Sequence, residues 1–356
     1  MKSKIFLAMV VGFFLCLIVW TPSVAADAFK GKTLKLAAGL PENSIFGKHF
    51  KWWASEVEKR TEGKVKVNIY WLESLVKAKD MLPAIQSGFT DAGWIISIYF
   101  ANNFQLYGLL DHIYNSGEDY NAALNAAIEV TEKEPALKAE LEKEKVILVM
   151  PYTSGQVLIG TKKCMNSILD LKGKTVRTAG GVRAQFYTNL GANPVFMTAP
   201  EMYEALDRGT ISAVADAPSA LMASFKMQEV AKCMYRTNSG IPAAAGVFMN
   251  IDVFRSFPKN IQDMLIKLRS EYAERFAADL TSFEGNFFRD VETKNGVIVK
   301  RPTPSEDKVL REAGQKANET LIKQTETAGH PAGRKVVEYY RSALKKYEAQ
   351  NASKKN

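Results

Sequence analysis

The chain has 356 residues, with 47 lysines and arginines against 38 acidic residues and a formal charge of +9. The positive charge is spread along the chain with acidic residues interleaved. There is no dense basic tract with aromatic residues between, so nucleic acid is excluded as a partner. With 47% hydrophobic residues the chain is long enough for two domains with real cores.

Residues 1–25 read as a removable export leader. Lys2 and Lys4 form a basic start, Ile5 to Trp20 an apolar run, and Ser23 and Ala25 supply small residues at the cleavage spacing. The run of about 16 residues is shorter than the ~20 that span a bilayer. Cleavage near Ala25 predicts a periplasmic protein and lowers the formal charge to +7. The mature chain keeps Cys164 and Cys233. An oxidising compartment permits a disulfide between them, but two buried, unpaired thiols are the reading favoured here.

Strand and helix patterns then alternate. Leu34 and Leu36 share a strand face; Phe46, Phe50, Trp53, Ala54 and Val57 recur at helical spacing; Val65, Val67, Ile69 and Trp71 alternate. This is a βαβ unit, expected to be parallel. A helix over 79–87, a strand over 91–97, one helix over 118–143 and a strand over 146–150 follow.

A second unit opens with a strand at 157–159. Strands at 174–178, 194–197 and 211–215 alternate with helices over 182–190 and after the capping box Thr198–Glu201. From Ile261 to Phe287 apolar residues step by three or four, predicting a helix near 30 residues that braces both units. Two more helices fall at 305–327 and 333–348, and 349–356 reads as a frayed tail. The fold class is therefore α/β, two-lobed, with an interlobe cleft: lobe 1 over 26–156 with returning segments, lobe 2 over 157–245, and the bracing helices over 246–348. In such folds ligands sit at the carboxyl ends of strands.

Catalytic constellations are missing. His49, His112 and His330 form no metal pair, and there is no CxxC, HExxH or GxSxG. The "GKT" of "LKGKTVRTAGG" would need a glycine at Ile168 to be a phosphate loop. No metal, cofactor or catalytic residue is expected. Arg177 differs from the other basic residues. It ends a short strand just before Gly180 and Gly181, where glycines allow close approach to the backbone, and its planar fork suits a carboxylate.

The stretch "DLKGKTVRT…LGANPVFMTAPEMYEALDRGTISAVADAP" resembles the DctP-type solute-binding proteins of tripartite ATP-independent periplasmic (TRAP) transporters. "VEKRTEGKVKVNIYW", "AIQSGFTDAGW" and "FMNIDVFRSFPKNIQDML" extend the likeness over most of the mature chain. The resemblance implies a non-enzymatic, monomeric protein that captures a small organic acid and hands it to ion-gradient-driven TRAP membrane permease subunits. In the family the arginine of the "KGxKxR" strand pairs with the ligand carboxylate; here it is Arg177. A second family arginine is replaced by Gln156 or Val157, the "ENP" asparagine by Asp216, and a bulky aromatic by Ala199. With Trp94, Ile96 and Tyr99 these imply a roomy apolar wall, and Phe248 and Asn250 are weaker lining candidates. One arginine implies an aromatic or branched monocarboxylate, such as an amino, hydroxy or keto acid. The alternatives are an ABC-type periplasmic binding protein and a ligand-sensing partner of a membrane receptor.

Overall fold

The computed structural model describes residues 29–111, 114 and 119–355. The predicted leader, residues 1–25, and His112 lie outside them. In chain order the first lobe begins with β1 (Lys32–Ala37), α1 (Ile45–Arg60) and β2 (Val65–Tyr70), followed by α2 (Met81–Gln86) and β3 (Ala92–Ile96). Then come α3 (Tyr120–Lys133), α4 (Pro135–Lys143) and β4 (Val146–Tyr152). β1 pairs in parallel with both β2 and β3, as the βαβ pattern requires.

The single helix expected over 118–143 is two helices. Pro135 removes a backbone donor, and Glu134 before it takes extended geometry, with ψ 113°. Glu134 then serves as N-cap of α4.

The second lobe comprises β5 (Val157–Thr161), β6 (Thr175–Thr178), α5 (Gly181–Asn189), β7 (Asn193–Phe196), α6 (Met202–Asp207), β8 (Ala213–Pro218), α7 (Ser219–Ser224) and β9 (Cys233–Arg236). The chain then returns as β10 (Ala245–Asn250), which lies antiparallel between β3 and β4 and completes a five-stranded sheet in the order β2-β1-β3-β10-β4. This strand, buried along its whole length, was not among the predicted elements. Gly246 permits its fit: a Cβ there would stand 2.4 Å from Leu148 Cδ1.

After α8 (Ile251–Arg255) comes α9 (Lys259–Thr293), 35 residues long, and then β11 (Ile298–Lys300), α10 (Pro304–Thr327) and α11 (Gly333–Lys355). β11 joins the second sheet, order β11-β9-β5-β8-β6-β7. α9 touches β4 of the first sheet and β11 of the second, so one rigid rod braces both. The predicted frayed tail is helical through Lys355. Its Asn351 amide donates to Asp119 at 2.9 Å and to Asn121 at 3.1 Å, which ties α11 to the start of α3.

The crossing from β4 to β5 is pinned by Glu284 of α9. Its carboxylate accepts from the Gln156 N–H at 2.8 Å, from Ser219 Oγ at 2.5 Å and from the Tyr120 hydroxyl. Gly155 between them has φ +88°, and a Cβ would stand 2.1 Å from Ser219 Oγ. Cys164 and Cys233 form a disulfide, against the expectation of free thiols; their Cα atoms are 5.3 Å apart. The pairing fastens the segment after β5 to β9, the strand beside it in the sheet. Among the described residues no helix is long and apolar enough to cross a membrane, and no group of three His, Cys, Asp or Glu side chains could hold a metal ion.

Candidate functional site

The carboxyl ends of four strands, β3 and β4 from the first sheet and β6 and β8 from the second, converge on a cavity of about 40 Å³. Ligand pockets usually run to several hundred Å³, so here the cleft is drawn tight around its own side chains. Ile96, Tyr99 and Tyr152 face Arg177 and Asp216 across it, with Ile98 and Leu221 closing the apolar part of the wall.

Arg177 sits on an interior strand, opposite Val195 of β7 and Val214 of β8, and is 1% exposed. Its Nε donates to the Met197 carbonyl at 2.9 Å, Nη1 to the Asp216 carbonyl at 3.2 Å and Nη2 to the Tyr99 hydroxyl at 3.4 Å. A guanidinium has five N–H donors, so these three contacts fix its plane and leave two donors at the cavity. The glycines after it serve a different end from the one expected. A Cβ on Gly181 would fall 2.6 Å from Ile98 Cγ1, so the space is taken by an isoleucine from the other lobe, not by a ligand's charged end.

Asp216 lies where β8 bulges against β5, the register shifting between Leu158 and Gly160. It has φ +59°, a left-handed geometry unusual for any residue but glycine. That turn brings its carboxylate to the Ala179 N–H at 3.2 Å and to Arg183 Nε at 3.3 Å, while its own N–H donates to the Tyr187 hydroxyl. Burial pushes the Asp216 carboxyl up to about 6; Asp111 pushes the same way, against Arg183, Arg177 and the Ala179 N–H.

Arg183 was not foreseen. It stands in the first turn of α5, where a cation opposes the helix dipole, and that mismatch was the available signal. It is 1% exposed and grips Asp111 with two bonds, Nε to Oδ2 at 3.3 Å and Nη2 to Oδ1 at 3.2 Å. Burial weakens its charge, but the two aspartates more than offset that and raise it above its ordinary value. Of the two arginines only Arg177 lines the cavity; Arg183 is paired with the lining aspartates Asp111 and Asp216.

The other predicted residues divide. Tyr99 and Ile96 line the cavity with Arg177 and Asp216. Ala199 sits just behind, fully buried, its N–H donating to the Tyr99 hydroxyl at 2.9 Å, so its smallness admits Tyr99 rather than leaving a roomier wall. Trp94 is one layer back; its Nε1 donates to the Tyr152 hydroxyl and its ring stacks on Tyr152 at 6.4 Å. Gln156 faces away, its Oε1 accepting from Arg236 Nε at 3.1 Å. Phe248 packs in the first-lobe core against Phe104 and Tyr107. Asn250 caps α8, accepting from the N–H groups of Asp252 and Val253. These last three do not line the cavity. Tyr152 and Ile98 were missed although candidates flank them in sequence, Ile96 and Tyr99 around Ile98 and Gln156 four residues after Tyr152.

Residues 36–325 match DctP, bacterial extracellular solute-binding protein family 7. A solute-binding protein of Albidiferax ferrireducens is 24% identical over 255 residues, covering 70% of this chain and 72% of its own. Among solved structures, a TRAP periplasmic solute-binding protein from Bordetella bronchiseptica with bound (R)- and (S)-mandelate has a TM-score of 0.77 at 23% identity, over 89% of this chain and 99% of its own. A marine-metagenome TRAP solute-binding protein specific for pyroglutamate has a TM-score of 0.76 at 22% identity, over 88% and 99%. These similarities carry the same two-lobed α/β fold. The chain belongs to bacterial extracellular solute-binding protein family 7, the DctP family.

Proposed function

We propose that this protein is the extracytoplasmic solute-binding subunit of a TRAP transporter, which captures a small organic monocarboxylate and delivers it to an ion-gradient-driven permease. The observation that carries the ligand class is Arg177: a fully buried guanidinium, fixed by three acceptors, with two N–H donors left at a cavity between the lobes. A carboxylate offers two oxygens to such a fork. The second arginine is engaged by Asp111 and Asp216, which supports one ligand acid rather than two. Ile96, Ile98 and Leu221 support an apolar ligand body, aromatic or branched. The solved relatives named above hold mandelate and pyroglutamate, both monocarboxylates, which agrees with this reading. The leader-like residues 1–25 and the Cys164–Cys233 disulfide support a periplasmic location.

The test is titration calorimetry with monocarboxylates on the wild type, Arg177→Ala and Arg177→Lys. Arg177→Ala weakens binding by roughly 3–5 kcal/mol, as when one member of a buried ion pair is removed. Arg177→Lys also weakens it, since a point charge cannot reproduce a two-pronged contact. Wild-type affinity in both folded variants contradicts the assignment.

A further inference from the structure

The cavity's polar atoms are unevenly committed. Its carboxylates are each already engaged: Asp111 receives Arg183 through both oxygens, and Asp216 receives Arg183 and the Ala179 N–H. Its hydroxyl donors are not. Tyr99 Oη accepts from the Ala199 N–H at 2.9 Å and from Arg177 Nη2 at 3.4 Å, which uses both lone pairs. Among the described residues its own proton has no protein acceptor.

Tyr152 is in the same position for a different reason. Its hydroxyl accepts from Trp94 Nε1. An indole nitrogen only donates, so the Tyr152 proton cannot turn back toward Trp94. The phenol ring is fully buried against Phe46, Trp94 and Phe276 and reaches the cavity. Burial holds both phenols above their ordinary pKa, so both keep their protons.

We propose that Tyr99 and Tyr152 determine specificity by presenting two hydroxyl protons to an uncharged oxygen on the ligand. The site then takes a carboxylate that also carries an oxo or hydroxyl group, and disfavours the ammonium of the corresponding amino acid. This narrows the monocarboxylate reading and rests on it. An ammonium brings three donors and no acceptor. It would meet hydroxyl protons and the Arg177 guanidinium, while the two cavity carboxylates, Asp111 and Asp216, already share Arg183. Trp94 is a positioning residue: it never reaches the cavity, but its N–H fixes which way the Tyr152 proton points.

The test is calorimetry with four acids on one skeleton: 4-methyl-2-oxopentanoate, 2-hydroxy-4-methylpentanoate, 4-methylpentanoate and leucine. The set is repeated with phenylpyruvate, phenyllactate, phenylpropanoate and phenylalanine. On the skeleton that binds, the oxo or hydroxy acid exceeds the unsubstituted acid by about tenfold, and the amino acid is weakest. Tyr152→Phe and Tyr99→Phe each reduce that preference, lowering affinity for the oxo or hydroxy acid more than for the unsubstituted acid. Trp94→Phe also lowers the ratio, reducing affinity for the oxo or hydroxy acid more than for the unsubstituted acid, whereas general loosening of the core would weaken both alike. Equal binding of the oxo, unsubstituted and amino acids, with Arg177 still required, overturns this inference alone. Loss of the preference in none of the three variants also overturns it. Binding of none of the eight acids overturns it together with the monocarboxylate reading.

Discussion

The two walls of the cavity are built from different chemistry. The second lobe contributes Arg177 and Asp216, both buried, with Arg183 paired to Asp216 outside the lining. The first lobe contributes Ile96, Ile98, Tyr99 and Tyr152, largely apolar surface with the hydroxyls of the two tyrosines and of Ser154, and Asp111 at its edge. Charge on one side sets how strongly an anion is held, because a buried guanidinium loses much when its partner is missing. Shape and hydroxyls on the other side set which anion, because each contact is worth less but rejects a mismatched ligand. The contacts between the walls include polar ones, Tyr99 with Arg177 and Ala199 and Asp111 with Arg183, beside the apolar contacts of Ile98 over Gly181 and Tyr99 on Phe196.

Breaking the charged wall has the largest expected effect. Arg177→Ala removes roughly 3–5 kcal/mol of ligand binding, while its melting temperature without ligand moves much less than its affinity. Arg183→Met acts on the fold instead. It leaves Asp111 and Asp216 buried without their shared cation, so urea unfolding should show a loss of about 3 kcal/mol. Full retention of stability would mean that the two aspartates find other partners.

The next effect is on pH. Asp216 faces Arg177, Arg183, Asp111, the Ala179 N–H and the Tyr187 hydroxyl, and its carboxyl is pushed up to about 6. The folded protein thus holds this proton more tightly than the unfolded chain. Its contribution to stability is full below the ordinary carboxyl pKa of ~4 and is lost as pH rises through about 6. A bound anion strengthens the proton's hold, so ligand affinity rises as pH falls from 8 toward 5 and proton uptake accompanies binding. Asp216→Asn removes that pH dependence; an unchanged profile in this variant assigns it to another group. The smallest effect belongs to the apolar wall. Ile96→Ala loses about 1–2 kcal/mol of affinity for a branched or aromatic acid, and less for a small one such as lactate.

Sequence reading was most secure where one local pattern decides the outcome. The βαβ start, the capping box at Thr198 and the long amphipathic helix are all in place, because periodicity and caps act over a few residues. Arg177 stood out for the same reason, at a strand end before two glycines. What sequence did not show depends on long-range geometry. Asp216 is re-aimed by a bulge and a left-handed turn. Arg183 looks like a surface cation until Asp111, 72 residues away, is folded against it. Trp94 and Phe248 are aromatic neighbours of site strands, yet the pleat turns Phe248 into the core and leaves Trp94 behind Tyr152.

The central claim is that Arg177 holds the ligand's acid while Tyr99 and Tyr152 read what lies next to it. The most direct measurement is a crystal structure with a bound 2-oxo or 2-hydroxy acid. Both carboxylate oxygens should lie within hydrogen-bond distance of the Arg177 guanidinium, with the oxo or hydroxyl oxygen on the tyrosine hydroxyls. A carboxylate seated on Arg183 or Arg236, with Arg177 contacting only protein, would contradict it.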